Sequence, residues 1–291
     1  MDSYALNTII AALIYSLAAI FSKAALEKGC GVLRLSFLIN QIFVLVFCAT
    51  LGWNMEPFAW SQIHLPVFAG LLFFIGQIFT FAAIRIGDVS LQTPVMGTKA
   101  VFVAIIAIVF GLEEVSWKIG FATIVAALAV ALLGFSEGAK KRLCLTILLS
   151  LLSALSFAGS DQMVGVFGAY FGKNSFLIIT IVVNALLSFG MIPFFNAPLR
   201  AIPGKSLVWA VAAALGMGLQ AVILNYTLAA SGEVVAVNII YSLRGLFSVI
   251  LGLLVGFIFA IQIEHMSWRS RIQRIVGALL ISLAVVIALC A

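Results

Sequence analysis

Runs of about twenty apolar residues follow one another along the whole chain, separated only by short polar connections, and this pattern decides what the chain can fold into. A bilayer hydrocarbon core about 30 Å thick takes roughly 20 residues of helix, so each run is long enough to cross it. A soluble fold offers no equivalent place to put them. The 16 basic and 10 acidic side chains are too few to coat a water-soluble globule of 31.1 kDa. Apolar residues make up 64% of the chain and charged ones 9%, against the usual soluble shares of about 45–50% and about 25%. The mean hydropathy of +1.26 names lipid as the main solvent. The sequence therefore predicts an all-α membrane protein.

Charged or Gly- and Pro-marked connections divide the chain into ten transmembrane helices near 5–25, 32–52, 65–86, 89–111, 117–136, 144–166, 174–195, 206–229, 234–259 and 271–290. The opening run lacks a basic start and is longer than a signal-peptide core, so it reads as a retained first span. The longest connections, 53–64 and 260–270, are too short to hold a soluble catalytic or nucleotide-binding domain. No phosphate-binding loop of the G-x-x-x-x-G-K-[ST] type occurs, nor any serine-hydrolase or zinc-protease pattern. The expectation is a protein that is not an enzyme. Cys30, Cys48, Cys144 and Cys290 have neither disulfide-framework nor metal-ligand spacing, and His64 and His265 stand alone in connections. No cofactor and no metal is expected. The net charge of +6 is scattered over connections and gathers on no face, which argues against a nucleic-acid partner.

The chain also repeats itself. At an offset of 145, Gly87-Asp88-Val89 aligns with Gly232-Glu233-Val234, Lys99 with Arg244, Phe102 with Phe247 and Gly111 with Gly256. At an offset of 151, Glu113-Glu114-Val115-Ser116-Trp117-Lys118 aligns with Glu264-His265-Met266-Ser267-Trp268-Arg269. A weaker match at 142 pairs Ala12-Leu13 with Ala154-Leu155 and Tyr15 with Phe157. Two halves of five spans each, 1–139 and 140–291, account for this. Five is odd, so the second half must enter the membrane from the opposite side. The expected fold is two inverted five-helix repeats, the architecture of alternating-access transporters.

In these halves, in the acidic and Ser-Trp residues before span five (Glu113 to Trp117) and again before span ten (Glu264 to Trp268), and in the small-residue helices that follow, the chain resembles EamA-type members of the drug/metabolite transporter superfamily. The resemblance covers essentially the whole chain. It implies ten spans in two five-span halves and export of a metabolite. One departure is that residues 53–64, between spans two and three, hold no Lys or Arg, where such proteins are usually basic.

Twelve of the 16 basic residues fall on one side: Lys23, Lys28, Arg34, Arg85, Lys140, Lys141, Arg142, Arg200, Lys205, Arg269, Arg271 and Arg274. Lys118 and Lys173 fall on the other, and Lys99 and Arg244 lie within spans. The positive-inside rule then places both termini outside a cell (inner) membrane that the chain crosses many times.

Lys99 and Arg244 sit about ten residues, or about 15 Å, into their spans, near the bilayer centre. A cation there costs about 2.5–3.5 kcal/mol on insertion scales, so both are expected to face a protein-lined cavity. The acid well inside a span is Asp161, which leaves one positive charge over. Either the substrate supplies the missing anion, or Lys99 or Arg244 pairs with Asp161 and the cluster is structural. Tyr241 and Asn238 share the helical face of Arg244, and Gln92 that of Lys99. Gln41, Gln77, Gln220 and Asn225 add hydrogen-bonding groups at mid-depth, each as ready to bridge helices as to bind a ligand. Pro94 is expected to break span four just over a turn before Lys99. Asp161 is the candidate for proton coupling.

These residues point to a secondary transporter, in the export direction by resemblance, of a small anionic or zwitterionic metabolite such as an amino acid. Its expected partners are that substrate, the lipid bilayer and, as a candidate coupling ion, the proton; the chain would act as a monomer or homodimer. A lipid-linked metabolite flippase of the same fold and, further off, an intramembrane enzyme are the alternatives.

Overall fold

The computed structural model describes residues 3–57, 60–86, 95, 96, 98–134, 143–248, 250, 251 and 268–290. Among these residues ten α-helices and no strand are found: α1 Ser3–Glu27, α2 Val32–Leu51, α3 His64–Ile86, α4 Lys99–Phe110, α5 Trp117–Gly134, α6 Leu143–Phe167, α7 Lys173–Ser188, α8 Gly204–Ser231, α9 Val234–Tyr241 and α10 Trp268–Leu289. Helical stretches within Ser3–Glu27, Val32–Asn54, Trp60–Ala83, Cys144–Phe167, Lys173–Phe194 and Gly204–Ser231 are each long and apolar enough to cross a membrane. The 25 residues of α1 extend about 38 Å at 1.5 Å per residue. Shorter apolar helical stretches occupy Lys99–Phe110, Trp117–Ala129, Val234–Ser248 and Leu279–Leu289. The expected spans 89–111 and 234–259 thus lie partly outside the described residues, as do Gln92 and Pro94. The expected span 174–195 ends as an α-helix at Ser188 and continues as a 3₁₀ helix, Phe189–Phe194, around Pro193, whose ring cannot fit an α-helical interior.

α1 and α8 turn small residues inward and large apolar ones outward, the reverse of a soluble helix, whereas α2, α7 and α9 also bury large side chains such as Phe47, Phe176 and Ile239. On α1, Ala5, Thr8, Ala11, Ala12 and Ser16 are buried while Leu6, Ile10, Leu13 and Leu17 are exposed. On α8, Ala210, Ala213, Ala214 and Gly218 are buried while Leu207, Val208, Val211 and Leu215 are exposed. Small faces let helices approach closely where lipid supplies no hydrophobic drive for them to associate. A Cβ at Gly216 would lie 2.9 Å from that of Ala18, which shows how near α8 comes to α1.

The most extensive packings are α1 on α8, α3 on α6 and α5 on α10, followed by α2 on α8, α3 on α7, α2 on α7 and α4 on α6, with α1 also touching α9 and α4 touching α9. Exchanging each helix for the one five places along the chain maps α1–α8 onto α6–α3, α2–α8 onto α7–α3 and α4–α6 onto α9–α1. It leaves α5–α10, α2–α7 and α4–α9 in place.

Close approach makes a sharp stability test. A Cβ at Gly70 would stand 2.5 Å from the Thr180 carbonyl oxygen and 2.9 Å from Val183 Cβ, and neither backbone nor a β-branched residue yields easily. Gly70→Ala is expected to destabilise by about 1–3 kcal/mol, the scale of an overpacked core. Gly120→Ala, where a Cβ meets nothing within 4 Å, is expected to be neutral or to stabilise by up to about 1 kcal/mol. Thermal midpoints of the two purified variants check the contrast.

Candidate functional site

Two helical stretches carry a cation, Lys99–Phe110 and Val234–Ser248, and in each case the winding changes just before it. Thr98 donates through its amide (3.0 Å) and its hydroxyl (2.7 Å) to the Val95 carbonyl, three residues back, and α4 begins at Lys99. Ser242 does the same to Ile239, through its amide at 3.1 Å and its hydroxyl at 2.5 Å, and the Gly245 amide then donates to the Ser242 carbonyl at 3.0 Å. Such i to i+3 closures are 3₁₀ geometry, which tightens the backbone and redirects the side chains that follow. Serine and threonine favour them because their hydroxyls compete for backbone carbonyls. Pro94 lies outside the described residues; the described i to i+3 closures stand at Thr98, just before α4, and at Ser242, just after α9.

Lys99 points into the bundle and places its Nζ 2.6 Å from Asp161 Oδ2 on α6, with 11% and 8% of the two side chains exposed. The contact sets the two opposite charges directly against each other. One residue further on α6, the Gln162 side chain donates to the Val103 carbonyl at 3.0 Å and ties α6 to α4.

Arg244 has a different environment. Its guanidinium lies 4.9 Å from the ring centre of Tyr15 on α1 and 4.7 Å from that of Tyr241, and the two rings meet edge to face at 6.0 Å and 75°. Tyr241 stands between the cations, since Lys99 Nζ is 6.0 Å from the same ring. Its hydroxyl donates to Gln220 Oε1 at 2.5 Å. Ser16 Oγ donates to the Arg244 carbonyl at 2.9 Å, and Ser248 Oγ donates to Ser16 at 3.2 Å, which fixes this stretch against α1. Among the described residues no carboxylate forms an ion pair with Arg244. Arg244 and Tyr15 are both partly buried and keep some accessible surface. Two cations and one carboxylate leave the cluster with one net positive charge.

The structure therefore brings together Lys99, Asp161, Tyr241, Arg244 and Gln220 from the expected site. Asp161, the candidate coupling acid, is engaged by Lys99, one of the alternatives the sequence leaves open. Asn238, one turn before Ser242, is buried and donates to the Val234 carbonyl of its own helix at 3.0 Å. Asn225 likewise donates to Ala221 at 2.8 Å. Gln41 donates to the Ala185 carbonyl at 3.1 Å and Ser188 Oγ at 2.9 Å, and so binds α2 to α7. Gln77 exchanges two 2.9 Å bonds with Asn40 and binds α3 to α2. These amides spend their hydrogen bonds on packing, as they do wherever lipid offers no competing water. Two surface grooves of about 320 and 350 Å³, between α2 and α7 and between α5 and α10, are lined by none of the charged residues of the cluster.

Tyr15 and Ser16 are the members that sequence reasoning misses. The available signal was the repeat, which pairs Tyr15 with Phe157: one half carries a hydroxyl and a cation-binding ring where the other keeps a plain phenyl group.

Neither a family model nor a curated protein sequence matches the chain. A solved structure described only as a crystal structure of a protein is similar over 99% of this chain and 98% of its own, with a TM-score of 0.78 and 16% identity. At that identity the likeness concerns the fold alone, and it extends to the full length of both chains.

Proposed function

We propose that the chain is a ten-span secondary transporter of the EamA type, built as two inverted five-helix repeats, that moves a small anionic or zwitterionic metabolite such as an amino acid by alternating access. The observation that carries this reading is Arg244: a deep cation held by two tyrosine faces, unpaired with any described carboxylate, and still accessible. Aromatic faces stabilise a guanidinium by about 0.5–2 kcal/mol and leave its donor edge open to a planar acceptor. An anion seated there would balance the cluster.

The helix packings that exchange in pairs support the repeat, because a pseudo-twofold axis requires such a pattern. Winding breaks beside both cations support a site at the interface of the halves, since broken helices in membranes occur where they line a binding path. The charge bias of the connections supports a cell membrane with both termini outside.

A thermal-shift screen tests the reading. Purified full-length protein is heated with amino acids, dicarboxylates and phosphate esters, with cationic amines as controls. A ligand present at about 100 times its Kd stabilises the folded form by about 2.7 kcal/mol. Anionic or zwitterionic compounds are expected to raise the midpoint. Stabilisation by the amines alone, or by no class, would remove the proposal.

A further inference from the structure

The connection after α4 sends Glu113 across to α9, where its Oε2 accepts the Val235 amide at 3.1 Å in the helix's first turn. Its second oxygen, Oε1, is buried and has no hydrogen-bond partner among the described residues. The connection after α2 makes a parallel contact: Glu56 Oε2 accepts the Asn174 amide at 2.9 Å at the start of α7, and the Glu56 carbonyl accepts Ser175 Oγ at 2.7 Å. Two acids, from the connections after α2 and α4, thus hold the first turns of α7 and α9. α9 is the helix that leads to Tyr241 and Arg244.

Among the described residues, the charge that acts on Glu113 is that of another acid, Glu233. From α9 comes Glu233, whose own amide is held by Ser231 Oγ at the end of α8. Glu114 adjoins it on its own connection. On α5, Lys118 turns its Nζ toward the Cys290 carbonyl at the end of α10, at 3.5 Å. From α4 and α6, Lys99 and Asp161 are committed to each other. Glu264 and His265, the repeat's counterparts of Glu113 and Glu114, lie outside the described residues.

From this geometry we propose that Glu113 is a proton-binding site which secures the closure of its contact with α9: protonated, it stays beneath α9, and ionised, it leaves for water. An ionised carboxylate with one oxygen shut in without a partner and a second acid beside it is disfavoured where it lies, whereas a neutral carboxyl still accepts the Val235 amide. Burial, and the Glu233 charge after it, push the Glu113 carboxyl up from 4.5 to about 7, against the opposing pull of the Val235 and Val234 amides. In the open arrangement water surrounds the group and its ordinary value returns. The closed form therefore holds its proton to a higher pH, so closure is favoured below about 4.5, weakens as pH rises toward about 7, and changes little beyond. Treating this contact as a gate rests on the transport reading; the protonation step itself does not.

Hydrogen–deuterium exchange on the full-length protein in nanodiscs tests it without a substrate. Protection of the α9 first-turn amides, corrected for intrinsic exchange, is expected to fall about tenfold or more between about pH 5 and about pH 8. Glu113→Gln, neutral at every pH and still an acceptor, is expected to keep that protection throughout. Glu233→Gln is expected to move the transition to lower pH. Protection in the wild type that is flat or rises with pH, or a Glu113→Gln profile that follows the wild type, would overturn the proposal. A transition that holds in a protein for which no anionic ligand is found would leave the proton site standing and remove only its reading as a transport gate.

Discussion

Asp161→Asn is expected to destabilise the protein by about 3–5 kcal/mol, because it leaves the Lys99 ammonium, 11% exposed, without a counter-charge. An amide can accept one hydrogen bond from Nζ but cannot offset the lost hydration of a full charge. Removing both members is a different matter. A buried pair replaced by apolar side chains of similar volume is often neutral, since the desolvation cost of both ions disappears with their attraction. Lys99→Met combined with Asp161→Leu should therefore recover most of the lost stability. Denaturant midpoints of the single and double variants in one detergent make the comparison. A single variant as stable as wild type, or a double variant no better than the single, would mean that water screens the pair and that the charge balance drawn around Arg244 is wrong.

The features legible in the sequence are those fixed by periodicity and length. Each helix from α1 to α10 overlaps a run read from apolar length and the charged, Gly or Pro residues that bound it, because a residue facing lipid must be apolar whatever it packs against. Lys99, Asp161, Tyr241 and Arg244 were legible as a group since a charge among apolar neighbours costs several kcal/mol and must find company. Which charge finds which partner was not legible. It depends on whether Asp161 on α6 faces α4 or α9, and so on a helix rotation set by small residues on several surfaces at once. The amides were ambiguous for a related reason: Gln41 and Gln220 have the same chemistry, yet one meets the Ser188 hydroxyl across a helix contact and the other a tyrosine hydroxyl inside the cluster. Tyr15 is not legible in the sequence because an aromatic residue on an apolar helix is ordinary until a cation lies over its face.

Arg244→Gln is expected to abolish transport while the fold persists, and the two halves of that outcome have separate causes. Among the described residues the guanidinium has no ionic partner, so its removal strands no opposite charge. The aromatic attraction given up, about 0.5–2 kcal/mol, is offset by the cost of burying a cation that is no longer present. A thermal midpoint close to wild type follows. The ligand suffers much more. A carboxylate held by two charge-assisted bonds gains about 1.5–3 kcal/mol from each, and their loss weakens binding by about 10²–10⁴-fold. Arg244→Lys keeps the charge but loses the planar fork, so it should fall between the two. Flux of a compound that stabilises the wild type, measured in proteoliposomes beside the thermal midpoint of each variant, checks both halves. Wild-type flux through Arg244→Gln would take Arg244 out of the binding site, and a collapsed midpoint would make its role structural.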